Sequence, residues 1–129
     1  MNGVIEKGTW ELKTPIDAVT ATTTSEAIVV AGAKKITLFF TRANHSAGSS
    51  AFSVDVSLDG VTFVDYNKLI SNATNTNAQT LTRVASVSLA ADGTTMATMD
   101  LEHDAIHSIK ITATETTDGT HTAQMLVEY

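Results

Sequence analysis

Ser53-Val54-Asp55-Val56-Ser57-Leu58 alternates polar and apolar residues without a break, and Ser108-Ile109-Lys110-Ile111-Thr112-Ala113 does the same. Successive side chains of a β-strand point to opposite faces, so a period of two marks a strand that buries one face and wets the other. Similar short segments recur to the last residue of the sequence, and no helical period survives between them. Residues 102–107 allow a single turn at most.

Around the first stretch the local grammar is that of a hairpin. Residues 52–58 alternate, Asp59-Gly60 supplies a two-residue turn, and Val61-Thr62-Phe63-Val64 returns. Asp-Gly between alternating runs favours such turns because Gly accepts the positive φ they need. Upstream, Thr9-Trp10-Glu11-Leu12 opens a strand that Thr14-Pro15 closes. Residues 17–25 form a Thr- and Ala-rich loop or edge strand. Ala27-Ile28-Val29-Val30-Ala31 and Ile36-Thr37-Leu38-Phe39-Phe40-Thr41 are the next two strands, and residues 44–50 are a polar loop. Downstream, residues 68–79 form a long polar loop. Strands at 81–89 and 94–101 flank a turn at Asp92-Gly93. Strands at 108–114 and 122–129 form a closing pair joined around Asp118-Gly119. About eight strands at this spacing imply an all-β fold: one antiparallel β-sandwich domain over residues 1–129, jelly-roll-like.

Composition narrows the function. The chain has 129 residues, 43% hydrophobic, enough for one self-sufficient core. It has no cysteine, which excludes disulfides and thiolate metal sites and favours assembly inside a cell. A net charge of -6 with eight Lys and Arg, scattered, argues against a nucleic-acid backbone as partner. Residues 1–8 have no apolar core of the signal-peptide kind, and no stretch is long and apolar enough for a membrane helix. Threonine, at 22 residues against one proline, suits solvent-facing strand positions and gives the surface a virion-like or extracellular character.

Catalytic constellations are missing. There is no Cys nucleophile, no Gly-x-Ser-x-Gly elbow and no Gly-rich phosphate loop, since the seven glycines sit singly at turns. His103-Asp104-Ala105-Ile106-His107 has zinc-like spacing on a helix, but on a strand its histidines stand about 13 Å apart. Asp55, Asp59 and Asp65 read as outward strand and turn carboxylates rather than calcium ligands. The chain is therefore expected to be no enzyme, with no metal and no cofactor. Asn44-His45-Ser46 and Asn72-Ala73-Thr74 match glycosylation acceptors, as a sequence this rich in Asn, Ser and Thr does by chance. Stacking partners for sugars are few, with Trp10 and Tyr66 the candidate platform. Basic residues interleaved with aromatics, as single-stranded nucleic acid requires, are absent.

The sequence's best hint of assembly lies in two apolar doublets, which core packing with loop cover also explains. Phe39-Phe40 and Val29-Val30 put large apolar groups on both faces of their strands, and the sequence ends on an apolar strand at Tyr129. One face of each doublet enters the core; the other calls for cover by loops, a second layer or a partner.

The run Val54-Asp55-Val56-Ser57-Leu58-Asp59-Gly60-Val61-Thr62-Phe63 resembles a hairpin of small β-sandwich accessory virion proteins of tailed bacteriophages. Ala31-Gly32-Ala33-Lys34-Lys35-Ile36-Thr37-Leu38 and the segment from Ile109 to Tyr129 share the style. It is similar, too, to discoidin-like and other carbohydrate-binding sandwiches. The resemblance implies a capsid decoration (cement) protein, assembled in the host cytoplasm into the virion. It would bind the major capsid protein or other virion proteins, as a homo-oligomer with a trimer favoured. Trp10, Val29, Phe39 and Tyr129 are then the expected contacts. A carbohydrate-binding module using Trp10 and Tyr66, or a neck or tail accessory protein, is the alternative.

Overall fold

The computed structural model describes residues 9–75, 77 and 81–129, so the expectation for residues 1–8 lies outside the described residues. Twelve strands form among them: β1 (Trp10–Val19), β2 (Thr23–Thr24), β3 (Ile28–Val29), β4 (Lys35–Ala43), β5 (Ser50–Ser57), β6 (Val64–Asp65), β7 (Leu69–Ser71), β8 (Arg83–Val84), β9 (Ser86–Leu89), β10 (Gly93–Thr98), β11 (Ser108–Glu115) and β12 (Thr120–Glu128). Eight span three residues or more, and the other four are two-residue edge pieces. They build two antiparallel sheets packed as a β-sandwich. The first has the order β1-β12-β4-β10-β7-β8. The second is built on β2-β11-β5-β6, with β3 also on β11 and β9 also on β5.

The alternation does what its period requires. Ile36, Leu38 and Phe40 of β4, Met125 and Val127 of β12, Phe52 and Val54 of β5, and Ile109 and Ile111 of β11 are almost wholly buried. Each contributes about 1.5–3 kcal/mol of apolar burial to the core between the sheets. Phe40 and Phe52 stack across that core, ring centroids 4.8 Å apart and 12° from parallel.

Several boundaries differ from those the sequence suggested. β1 runs through Thr14-Pro15 to Val19, because on an edge strand the missing proline N–H breaks no ladder. Its register shifts on either side of Ile16, and Ala18 takes φ +52°. The Asp59-Gly60 hairpin exists, with Val56 facing Val64, but its loop spans residues 58–63 rather than two residues. The 81–89 strand is two strands in different sheets, β8 and β9, and the 68–79 loop begins with a strand, β7. Asp92-Gly93 and Asp118-Gly119 are crossings between sheets, so β11 and β12 are not a hairpin pair.

Those crossings are held by one buried cation. The Arg42 guanidinium donates to the carbonyls of Ala47 (2.8 Å), Gly48 (3.0 Å), Leu89 (3.3 Å) and Asp118 (2.8 Å), and it lies 3.6 Å from the Asp118 carboxylate. Asp118 in turn accepts from Ser46 N at 2.9 Å and from the Ser46 hydroxyl. Gly119, at φ +125°, passes so close that an added Cβ would lie 3.0 Å from Arg42 Nε. Beside it His121 is wholly buried; its Nδ1–H donates to the Val19 carbonyl, and its Nε2 shares a 2.6 Å hydrogen bond with the Ser50 hydroxyl.

Arg42→Met is therefore expected to lower unfolding free energy by about 3 kcal/mol or more, because buried carbonyls lose their donors. Arg83→Met, at a half-exposed arginine paired to Asp100, should cost under about 1 kcal/mol. Denaturant titrations of both variants check the contrast.

Candidate functional site

Register fixes what the outer face of the first sheet presents. Leu12 of β1 faces Leu126 of β12, Gln124 of β12 faces Phe39 of β4, and Phe39 faces Met96 of β10. Leu126 faces Thr37, two residues from Phe39, so it is Phe39's diagonal neighbour. Leu12 (68% exposed), Leu126 (41%), Phe39 (46%) and Met96 (38%) thus form an apolar stripe across four strands. Trp10 (61% exposed), two residues before Leu12 on the same face, extends it. Around the stripe stand Thr37, Thr98 and the Thr41–Thr94 hydroxyl pair at 2.8 Å.

The outer face of the second sheet has the opposite character. Thr24, Thr112, Ser53 and Ser86 make one cross-strand row, and Thr114, Ala51 and Ser88 another. Lys110, Asp55 and Asp65 make a third, with Lys110 Nζ also 4.6 Å above the Phe63 ring. The first sheet's outer face thus carries an apolar stripe among threonines, Gln124, Lys35 and Glu128, whereas the second sheet's is mainly hydroxylic and charged, with Val29 its exposed apolar residue.

The expected contacts divide accordingly. Trp10 and Phe39 share the apolar face. Tyr129 does not: it packs against the core beside Glu11, and burial first, then the Glu11 charge, pushes its phenol pKa up. Val29 is exposed on β3 of the other sheet, lining a cleft with Lys13, Thr14 and Pro15. The Trp10 and Tyr66 platform is not formed. Tyr66 is only 4% exposed, its hydroxyl accepting from Asp100 N (2.8 Å) and donating to Asp104 (3.2 Å), so its ring offers no open face to a sugar. Leu12, Leu126 and Met96 were missed because single apolar residues on alternating strands look ordinary until register aligns them.

A cleft of about 530 Å³ lies between the 58–63 loop and the 103–106 segment, walled by Val56, Leu58, Val64 and Ile106, with Lys68 and Asp104 ion-paired at 2.8 Å. The two histidines of the zinc-like run part company: His103 binds Asp100, and His107 the Ser108 hydroxyl. Among the described residues no group of three or more His, Cys, Asp or Glu is arranged to hold a metal ion. Asp59 stiffens the loop, accepting from Val61 N (2.9 Å), Thr62 N (3.0 Å) and the Ser57 hydroxyl (2.9 Å). These bonds, Thr62's first, hold its carboxyl pKa down at about 2.

No protein-family model matches the chain, and no curated protein does. A solved structure does match: the crystal structure of SPBc2 prophage-derived protein YomS, at a TM-score of 0.71 and 14% identity, over 99% of this chain and 100% of that one. The likeness establishes a shared sandwich fold.

The depressed Asp59 pKa gives a pH signature. Its unfolded value is near 3.8, so the stabilisation is present above that pH and is lost as pH falls through about 2. Wild type should melt above Asp59→Asn at neutral pH, and the two melting temperatures should converge as pH falls from 4 toward 2.

Proposed function

We propose that this chain is a non-enzymatic structural protein of a tailed-phage particle, of the capsid decoration (cement) type, which docks on the major capsid protein through the outer face of its first sheet. The observation that carries the reading is the stripe of Leu12, Leu126, Phe39 and Met96 on one face, set against the hydroxylic and charged opposite face. The prophage origin of a protein with the same fold supports the setting.

The physics of docking follows from size and number. An apolar patch on the order of a few hundred Å² is about the largest that a monomer ordinarily exposes, and such patches are often functional. It is below the roughly 800 Å² per partner of a stable pairwise complex. Repetition over a shell offsets that shortfall, since each subunit fixed by one contact makes the next effectively intramolecular. The acidic net charge suits an external position, away from packaged nucleic acid. A neck or tail position would use the same face on a different ring of subunits.

Co-sedimentation with particles stripped of accessory proteins tests the reading. Saturable binding at a fixed ratio to the major shell protein is expected. Phe39→Ser combined with Leu126→Ser should weaken it on the order of tenfold or more, and Lys110→Glu should leave it unchanged. Binding to tails but not shells moves the protein to the tail. No binding by the folded protein, or binding indifferent to the stripe, overturns the proposal.

A further inference from the structure

We propose that β1 pairs edge to edge with β1 of a second copy of this chain, antiparallel, about a two-fold axis through Leu12. β1 is the terminal strand of its sheet, with β12 on one side and no strand on the other among the described residues. Trp10, Glu11 and Leu12 at its start are all exposed.

The hydrogen-bond parity of the edge fits this pairing. Tyr129 N donates to Thr9 O, so Thr9 and Tyr129 are a hydrogen-bonded pair, and the register Trp10 to Glu128 follows directly from it. Bonded and non-bonded pairs alternate along an antiparallel ladder. Glu11 and Lys13 therefore turn their backbone groups toward β12, while Trp10 and Leu12 turn theirs to the open edge. The Glu128 carbonyl agrees, since it accepts from Lys34 N on the far side of β12 rather than from β1. A two-fold axis through Leu12 then sets two outward-facing Leu12 backbones opposite each other. They exchange a reciprocal pair of N–H to O=C bonds, and Trp10 meets Thr14 of the second copy.

Charge selects the same register. Centring on Leu12 places Glu11 opposite Lys13 of the second copy and Lys13 opposite Glu11, two complementary cross-strand pairs from a five-residue stretch that complements itself. Within one copy Glu11 and Lys13 already share a face, their charges 3.7 Å apart. The pairing has a built-in end: Pro15 offers no N–H, and the register shift after Lys13 bends the strand away. A long flat edge is thereby limited to residues 10–14, which permits a closed dimer and not an open fibre.

The consequence reaches the outer face. Across the axis the stripe Met96, Phe39, Leu126, Leu12 continues into Leu12, Leu126, Phe39 and Met96 of the second copy, doubling the apolar surface on one continuous sheet. The interface itself does not depend on what that surface docks to.

Sedimentation velocity of the full chain, from micromolar to several hundred micromolar, tests the pairing. A monomer–dimer equilibrium is expected. Lys13→Glu or Glu11→Lys alone should raise the dimer Kd on the order of tenfold, by opposing like charges across the axis, and the two together should restore it. Leu12→Pro, which removes an outward N–H without touching the β12 ladder, should give a monomer. If that variant melts before the others, the charge cycle decides alone. Phe39→Ser should leave the dimer intact. A monomer at every concentration, a trimer, or a dimer lost in Phe39→Ser and indifferent to the Glu11 and Lys13 changes would overturn the proposal.

Discussion

Phe40 of one sheet lies flat against Phe52 of the other, and that contact fixes the phase of everything attached to it. With Phe40 turned inward, a strand of period two must turn Phe39 outward; a slip of one residue would exchange the whole buried set of β4 for the exposed one. The neighbours inherit this phase through the ladders. β12 places Met125 and Val127 inside and Leu126 outside, and β10 places Ala97 inside and Met96 outside. The apolar stripe is therefore a by-product of core register in position, though not in composition. Nothing in the packing demands Phe, Leu and Met where Thr would serve, as it does at Thr37, Thr41 and Thr94.

A second constraint operates at one end of the sandwich, where the chain passes between sheets. Crossings leave carbonyls without ladder partners in places that water reaches poorly. Arg42 answers four of them with one rigid guanidinium. The wholly buried His121 and the tight approach of Gly119 belong to the same cluster. The cluster ties the crossings at that end to β4, and the ladders of β4 to β10 and β12 set the three outer faces side by side in one sheet.

The sequence carried the period, and hence the two-layered all-β class, because burial of one face leaves its mark at every second residue. It carried much less of the topology. Asp-Gly pairs mark sharp turns, but Asp92-Gly93 and Asp118-Gly119 serve crossings as readily as hairpins, and only long-range pairing separates the two. Pro15 read as a strand end because edge position is invisible in one dimension. Of the expected contacts, Trp10 and Phe39 fell on one face, whereas Val29 lies on the other sheet and Tyr129 packs toward the core; Tyr66, expected with Trp10 as a sugar platform, is buried. A doublet such as Phe39-Phe40 announces an outward apolar side chain by itself; Leu12, Leu126 and Met96 acquire meaning only from cross-strand register.

The proposed reading, a component that works by assembly, rests on the apolar stripe of the first sheet set against the more polar outer face of the second. The central claim is that the outer face of the first sheet is the working surface. Hydroxyl-radical footprinting of the protein, free and bound to shells, tests it most directly. Trp10, Leu12, Phe39, Met96 and Leu126 are expected to be labelled in the free protein and protected on the shell, with Lys110 and Phe63 labelled equally in both. Protection of Lys110 and Phe63 on the shell, with the stripe still labelled, would contradict it.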